Sequence, residues 1–340
     1  MSARRKISED QKLEGAARAA VKKYLHKKHP SPHDAWRTIS PHPIHNVVGV
    51  SVGRKRVGKR TTSTPCIRIY VRHKFLLPRG SKFALKKDFG GFPTDIIAVG
   101  TPRRMANDGT LDLKRERPAF PGCWVTAEPP TEISFPMPGT FGAVLEDESG
   151  VLYILSNNHV LANEDQNSKG DLVYQPINDS PNKIAKLITV IPLDREGSNK
   201  VDCALAKVIR TKDVSGMMPN SIGQLTSAAP LDPRVGMKVE KFGATTGHTI
   251  GTVIDTNAAF KVDYTTAPGL LLEDQIQIEN GDGDFCGHGD SGSLVVDVET
   301  KQAVGLLTVN MDGFALANRL DNVLATLSAK LGSQLQLKIT

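Results

Sequence analysis

Three short segments hold residues that could do covalent chemistry together. "SNNHV" closes an apolar run and carries His159. "VDCALAKV" places Asp202 just before an apolar strand. "GHGDSGSLVV" places Ser291 in a glycine-rich turn before another. Acyl transfer needs these residue types. A serine hydroxyl is a weak nucleophile and needs a neighbouring base to take its proton. It also needs a carboxylate to hold the imidazole in the right tautomer. Backbone N–H groups must face the developing oxyanion. Gly289 and Gly292 flank the serine turn and let its backbone adopt φ values that other residues avoid. The N–H groups of Gly289 and Ser291 can then point into one hole.

Each piece alone is weak. A single histidine at a strand end is ordinarily a satisfied core or turn residue, and DSG turns occur in many proteins. The three together, each beside an apolar strand, make a pattern. Rivals exist: Asp171 and Asp194 for the acid, His248 and His288 for the base. Neither acid begins an apolar strand as Asp202 does. Cys286 reads as a buried or cleft thiol. "ENGDGDFCGHGD" (279–290) alternates acids, but it lacks the later glutamate of an EF-hand loop, so turn chemistry explains it better than calcium.

The pattern resembles the trypsin/chymotrypsin-like serine peptidases. "GDSGS" is similar to their nucleophile turn, "DCALAKV" to their aspartate strand, and "LSNNHV" to the histidine segment of bacterial and plant members. "FGATTGHTIG" (242–251) resembles a Gly/Thr segment of bacterial and plant narrow-leaf-type relatives. The order His, Asp, Ser is that of the chymotrypsin fold and differs from the subtilisin and α/β-hydrolase orders. The likeness covers about residues 120–332.

The resemblance implies a chymotrypsin-like double β-barrel and a serine endopeptidase working through an acyl-enzyme, with no metal and no cofactor. Ser291 would be the nucleophile, His159 the base and then the acid, Asp202 its orienting partner, and Gly289 and Ser291 the oxyanion donors. Phe285 would sit at the base of the specificity pocket, with Thr308, Val309 and Asn310 on its wall and His288 lining the cleft. Phe285 is not acidic, which points away from Lys/Arg cleavage and toward small or apolar side chains. In relatives made as zymogens, the acid before the serine, here Asp290, pairs with a new N-terminal amine. No activation site of that type stands near residue 120. Asp290 is therefore held internally, or the enzyme is switched on by another route.

The positioning elements follow from texture. Residues 121–316 alternate short apolar runs with Gly, Pro, Asn and Asp turns, which predicts a barrel or sandwich. We divide this stretch into a first barrel over 121–225 and a second over 226–316. "NRLDNVLATLSAKLG" predicts an amphipathic helix over 317–332, stopped by Gly332. Upstream, residues 1–30 contain a basic helix capped by Ser8 with Gln11. Residues 31–45 and 105–120 read as linkers. Residues 46–104 read as a small α/β module of strands "NVVGVSVG", "CIRIYVRHKF" and "FPTDIIAVG", with a short helix in "SKFALKKDF".

Composition sets the partners. Residues 1–120 carry 27 Lys and Arg against 9 Asp and Glu, a net +18, and the remainder carries −11. Such a split suits docking of the basic half on the acidic half, or an acidic partner for the basic half. Few aromatics interleave the basic runs "GRKRVGKR" and "AVKKYLHKK", which disfavours nucleic acid. Five histidines in 26–45 have no regular ligand spacing. No run is long and apolar enough for a membrane span. Four scattered cysteines form no metal motif and suggest a reducing cytoplasm. A protein or peptide substrate is the expected partner. The alternative is a catalytically inactive scaffold or a nucleic-acid-associated protein on the same fold.

Overall fold

A computed structural model describes residues 8–26, 40–58, 60–104, 114–129, 138–281 and 283–339. Most of the histidine-rich linker (27–39) and part of the second linker (105–113) lie outside the described residues. Helix α1 (Glu9–Tyr24) and the one-turn α2 (Pro43–Asn46) precede strands β1 (Val47–Val57), β2 (Arg60–Val71), β3 (Asp88–Phe89), β4 (Phe92–Ala98) and β5 (Arg103–Arg104). Then come β6 (Trp124–Ala127), β7 (Gly139–Thr140), β8 (Ala143–Asp147), β9 (Leu152–Ser156), α3 (Asn158–Leu161), β10 (Leu172–Tyr174), β11 (Lys183–Val190), β12 (Ser198–Asn199) and β13 (Ala204–Val208). The last part holds β14 (Lys238–Gly243), β15 (Gly247–Val262), β16 (Leu270–Asn280), β17 (Leu294–Asp297), β18 (Ala303–Met311), β19 (Phe314–Arg319), α4 (Leu320–Leu331) and β20 (Leu335–Leu337).

Six of these strands close on themselves. The pairing β16-β19-β18-β17-β14-β15 returns to β16 through β15–β16. Val239, Val253, Ile276, Ile278, Phe285 and Val295 fill this barrel. The other sheet runs β20-β8-β9-β13-β11-β10-β6-β7. Its ends approach through Phe141 and Gly142, whose N–H groups donate to Cys123 and Leu155. Val125, Phe141, Val144, Ile154, Val160, Leu187 and Ala206 fill it. Period-two patterning places these residues inward on each strand. Helix α4 presents Leu320, Val323, Leu324 and Leu327 to the seam between the sheets, where they meet Leu145, Leu205, Val296 and Leu306. It ends at Gly332, which adopts φ +79°. The expected mainly-β double barrel with a C-terminal helix is what the chain forms.

The N-terminal strands extend the second barrel. Strand β15 is 16 residues long, and its outer part pairs with β1 (Gly49 opposite Phe260). Strand β2 pairs antiparallel with β1, and β4 pairs parallel with β2. Gly49 has no room for a side chain, because a Cβ would lie 2.2 Å from the Phe260 ring. The Arg56–Glu279 ion pair and the His26–Glu273 hydrogen bond also cross between these parts.

The helix expected in 81–89 is absent. Ala84 N–H donates to Ser81 O in a turn, and Asp88–Phe89 pairs with β4. A segment that short, bounded by Gly80 and Gly90, lacks the length to sustain a helix. Its place on the sheet is taken by α1, whose Tyr24 packs edge-on against Phe89. The capping box of Ser8 and Gln11 starts α1 as expected. No helix among the described residues is long and apolar enough to cross a membrane.

Candidate active site

His159 lies on α3, the single turn that ends β9. Asn157 and Asn158 break the strand there and anchor the turn. Asn157 Nδ2 donates to Asp202 O at 2.8 Å and to Thr308 Oγ1 at 3.2 Å. Asn158 Nδ2 donates to Asp165 Oδ1 and Ile191 O. The imidazole thus sits at a strand end because two amides exchange ladder bonds for side-chain bonds.

Asp202 enters just before β13 and is completely buried. Its Oδ2 lies 2.5 Å from His159 Nδ1 and accepts from the Tyr264 hydroxyl at 2.6 Å. Its Oδ1 accepts from the His159 backbone N–H. Its own N–H donates to Asn318 Oδ1 on β19. Burial pushes the Asp202 pKa up, but the adjoining His159 imidazole and these hydrogen bonds outweigh it and hold the acid below its ordinary value. The rivals go elsewhere. Asp194 accepts N–H bonds within its own turn, Asp171 binds Asn167 and Ser168, and His248 pairs with Glu240.

Ser291 lies in the loop before β17, between Gly289 at φ +99° and Gly292 at φ +90°. A Cβ on Gly289 would strike Trp124 and Thr245, and one on Gly292 would strike Ser156. The first barrel grips this turn directly, since Thr140 N–H donates to Ser291 O and Thr140 Oγ1 to Gly289 O. Thr308 links the halves: Asn157 donates to its hydroxyl, and Ser291 Oγ lies 3.5 Å from its carbonyl. His159 Nε2 is buried without a hydrogen-bond partner. Ser291 and His159 are 0% and 1% exposed.

Asp290 is held internally. Oδ2 accepts from Lys241 Nζ (3.0 Å), Thr246 Oγ1 (2.6 Å) and Gly287 N–H (2.9 Å). Oδ1 accepts from the N–H groups of Thr245 and Thr246. Lys241, itself fully buried, pairs with Asp290. The "GATTG" turn supplies the other donors apart from Gly287 N–H.

The expected pocket residues divide. Thr308 and Val309 are buried on β18, and Asn310 Nδ2 donates to Cys286 O. His288 is exposed. Phe285 is packed into the second-barrel core. All four cysteines are free and buried, and burial pushes the Cys286 thiol far up, away from the thiolate. Sequence reading missed Lys241 and Tyr264.

One barrel supplies histidine and aspartate, and the other supplies the serine turn. The fold is of the chymotrypsin-like double-barrel type. No family model matches the chain, and no curated protein matches it. Solved structures similar to it include a Nocardiopsis protease (17% identity, 64% of this chain and 98% of that one, TM-score 0.44). Protease A of Thermobifida fusca (16%, 64% and 98%, 0.46) and a chymotrypsin of Cellulomonas bogoriensis (17%, 65% and 99%, 0.43) are also similar. At this level of likeness the chemistry has to rest on the chain's own residues.

Proposed function

We propose that the chain is a serine endopeptidase. The observation that carries this reading is the buried His159–Asp202 pair. Its outer nitrogen has no partner, and it stands across Thr308 from a serine in a glycine-flanked turn. A structural histidine would have both nitrogens satisfied, because an orphaned buried polar atom costs about 1–3 kcal/mol. Here Nε2 is kept for a proton in transit.

In the reaction, Ser291 Oγ turns from the Thr308 carbonyl toward Nε2. Such bonds are often long without substrate and tighten on engagement. Oγ attacks the peptide carbonyl as its proton passes to Nε2. Asp202 stabilises the imidazolium without taking the proton. The N–H groups of Gly289 and Ser291 receive the oxyanion. The imidazolium protonates the leaving amine, and water repeats the sequence on the acyl-enzyme. The Lys241–Asp290 pair supports the turn, so this reading needs no new N-terminus.

The test is labelling by a fluorophosphonate, beside Ser291→Ala and His159→Ala. Loss of labelling in both variants supports the reading. Labelling that survives Ser291→Ala defeats it.

A further inference from the structure

We propose that Glu164 is a positioning residue for the reaction: it fixes the backbone that carries Tyr264, and through the Tyr264 hydroxyl it sets the geometry of the Asp202–His159 pair. The inference rests on the peptidase reading and deepens it by adding a residue that lies outside the triad.

Glu164 follows His159 on the turn after α3 and is completely buried. Its two carboxylate oxygens face consecutive backbone donors. Oε1 accepts from Thr265 N–H at 3.0 Å, and Oε2 from Thr266 N–H at 2.6 Å. A carboxylate bonded at both oxygens fixes the plane of that segment as well as its position, and hydrogen bonds of this kind are the strong ones. Tyr264 comes directly before those two N–H groups. Its hydroxyl donates to Asp202 Oδ2 at 2.6 Å, and its ring meets the imidazole edge-on with centroids 5.9 Å apart. A tyrosine side chain is a rigid arm with two torsions, so a shift in its backbone reaches Asp202.

The backbone at Glu164 is itself unusual. Asn163, Glu164 and Asp165 have φ of +45°, +58° and +69°, a left-handed run without a glycine. Asparagine and aspartate tolerate that region better than most residues, and glutamate does not share the allowance. Such a run persists only where its surroundings over-determine it. Asp165 N–H donates to Asn158 Oδ1, and Asn158 Nδ2 donates back to Asp165 Oδ1. Arg195 Nη2 donates to Glu164 O and to Thr266 Oγ1. The contacts close a ring. It runs from His159 to Asp202, to Tyr264, through Thr265 to Glu164, and through Asp165 to Asn158, the residue before His159.

A turn that needed only its N–H groups satisfied would be served by a short side chain of its own, as Asp194 serves its turn. Here the acceptor arrives from 101 residues away in the chain, on the segment that also carries the histidine. One barrel thus grips the arm with which the other steadies Asp202. A strained backbone and a buried carboxylate are spent on that link, and its far end is the pair that moves the proton.

The test reads kcat and KM for casein in the full chain with Glu164→Gln, with Tyr264→Phe and with both. It also reads the low-field proton NMR line of His159 Nδ1–H, whose position reports the bond to Asp202. Glutamine keeps the length of the side chain but turns an NH₂ group toward one of the two backbone donors. The small displacement that follows should lower kcat about tenfold, leave KM unchanged and move the NMR line. In the Tyr264→Phe chain the same substitution should change kcat by no more than about twofold, because the arm it acts through is gone. A kcat loss that multiplies in the double variant overturns the inference and leaves the serine chemistry standing. A native kcat with an unmoved line, at a lowered melting temperature, does the same. If the native chain neither cleaves casein nor is labelled by a fluorophosphonate, the peptidase reading falls and this inference with it. If Glu164→Gln does not fold, Arg195→Ala loosens the same clamp from a side chain that is 44% exposed and carries the same comparison with the same outcomes.

Discussion

Two buried carboxylates flank the serine, and they are used in opposite ways. Asp290 and Lys241 are both completely buried, and every partner is fixed. The lysine also donates to Thr246 and to Gly247 O. Asp202 is equally buried and accepts bonds at both oxygens, yet its partner His159 keeps one nitrogen without a bond. The first pair is a strut. On the proposed reading the second is a strut at one end and a reagent at the other. A buried ion pair therefore says little about function until the partner's remaining atoms have been followed to their ends.

Asparagine at each acid separates the two roles. Asp202→Asn keeps the shape but offers His159 an amide, which favours the wrong tautomer. Turnover should fall by about 10⁴, with little change in melting temperature, as read by casein hydrolysis beside a thermal scan. The strut should behave in reverse. Lys241→Met leaves the Asp290 charge buried without its cation, at a cost of about 3–5 kcal/mol in urea unfolding. Adding Asp290→Asn should recover most of that loss. A Lys241→Met chain of full stability would mean that the threonine and backbone donors hold Asp290 unaided.

The reagent was more legible in the sequence than the strut. His159, Asp202 and Ser291 each adjoin an apolar strand, and local pattern marks that position. Lys241 lies in "KVEKFG", where alternation reads it as one more polar strand residue. Its burial depends on the "GATTG" turn folding back over it, and its partner is 49 residues away. Tyr264 is 62 residues from Asp202, a distance at which periodicity carries no information. The barrels were legible as a class, since many short strands with turn residues leave few alternatives. The grafting of β1 onto β15 was not, because that edge pairing is fixed by the fit of Gly49 over Phe260. The basic residues 1–120 looked separable by charge, whereas a shared sheet joins many of them to the barrel.

A third buried acid extends the comparison to that junction. Asp255 accepts N–H bonds from Val52 and Asn257 and forms no ion pair among the described residues. Burial, opposed by those bonds, raises its pKa to about 6. Between about pH 4 and pH 6 the unfolded chain has released this proton while the folded chain keeps it. Stability from this group is therefore full below about pH 4 and falls as pH rises through 6, by ~3 kcal/mol. Urea midpoints at pH 4 and pH 7 should show this slope in the native chain and lose it in Asp255→Asn.

Tyr264 gives the finest test, because it acts on the acid of the reagent pair. Its hydroxyl donates to the oxygen that also faces His159 Nδ1. Tyr264→Phe removes one bond to a buried charge, worth about 2 kcal/mol, and leaves the ring's edge-on contact with the imidazole in place. That bond helps hold the Asp202 pKa down, so removing it lets the pKa rise. The carboxylate so fixed is what would orient His159 on the proposed reading. Tyr264→Phe should therefore lower kcat for casein by less than Asp202→Asn does, with KM unchanged. A purely structural tyrosine would lower the melting temperature and leave kcat where it was.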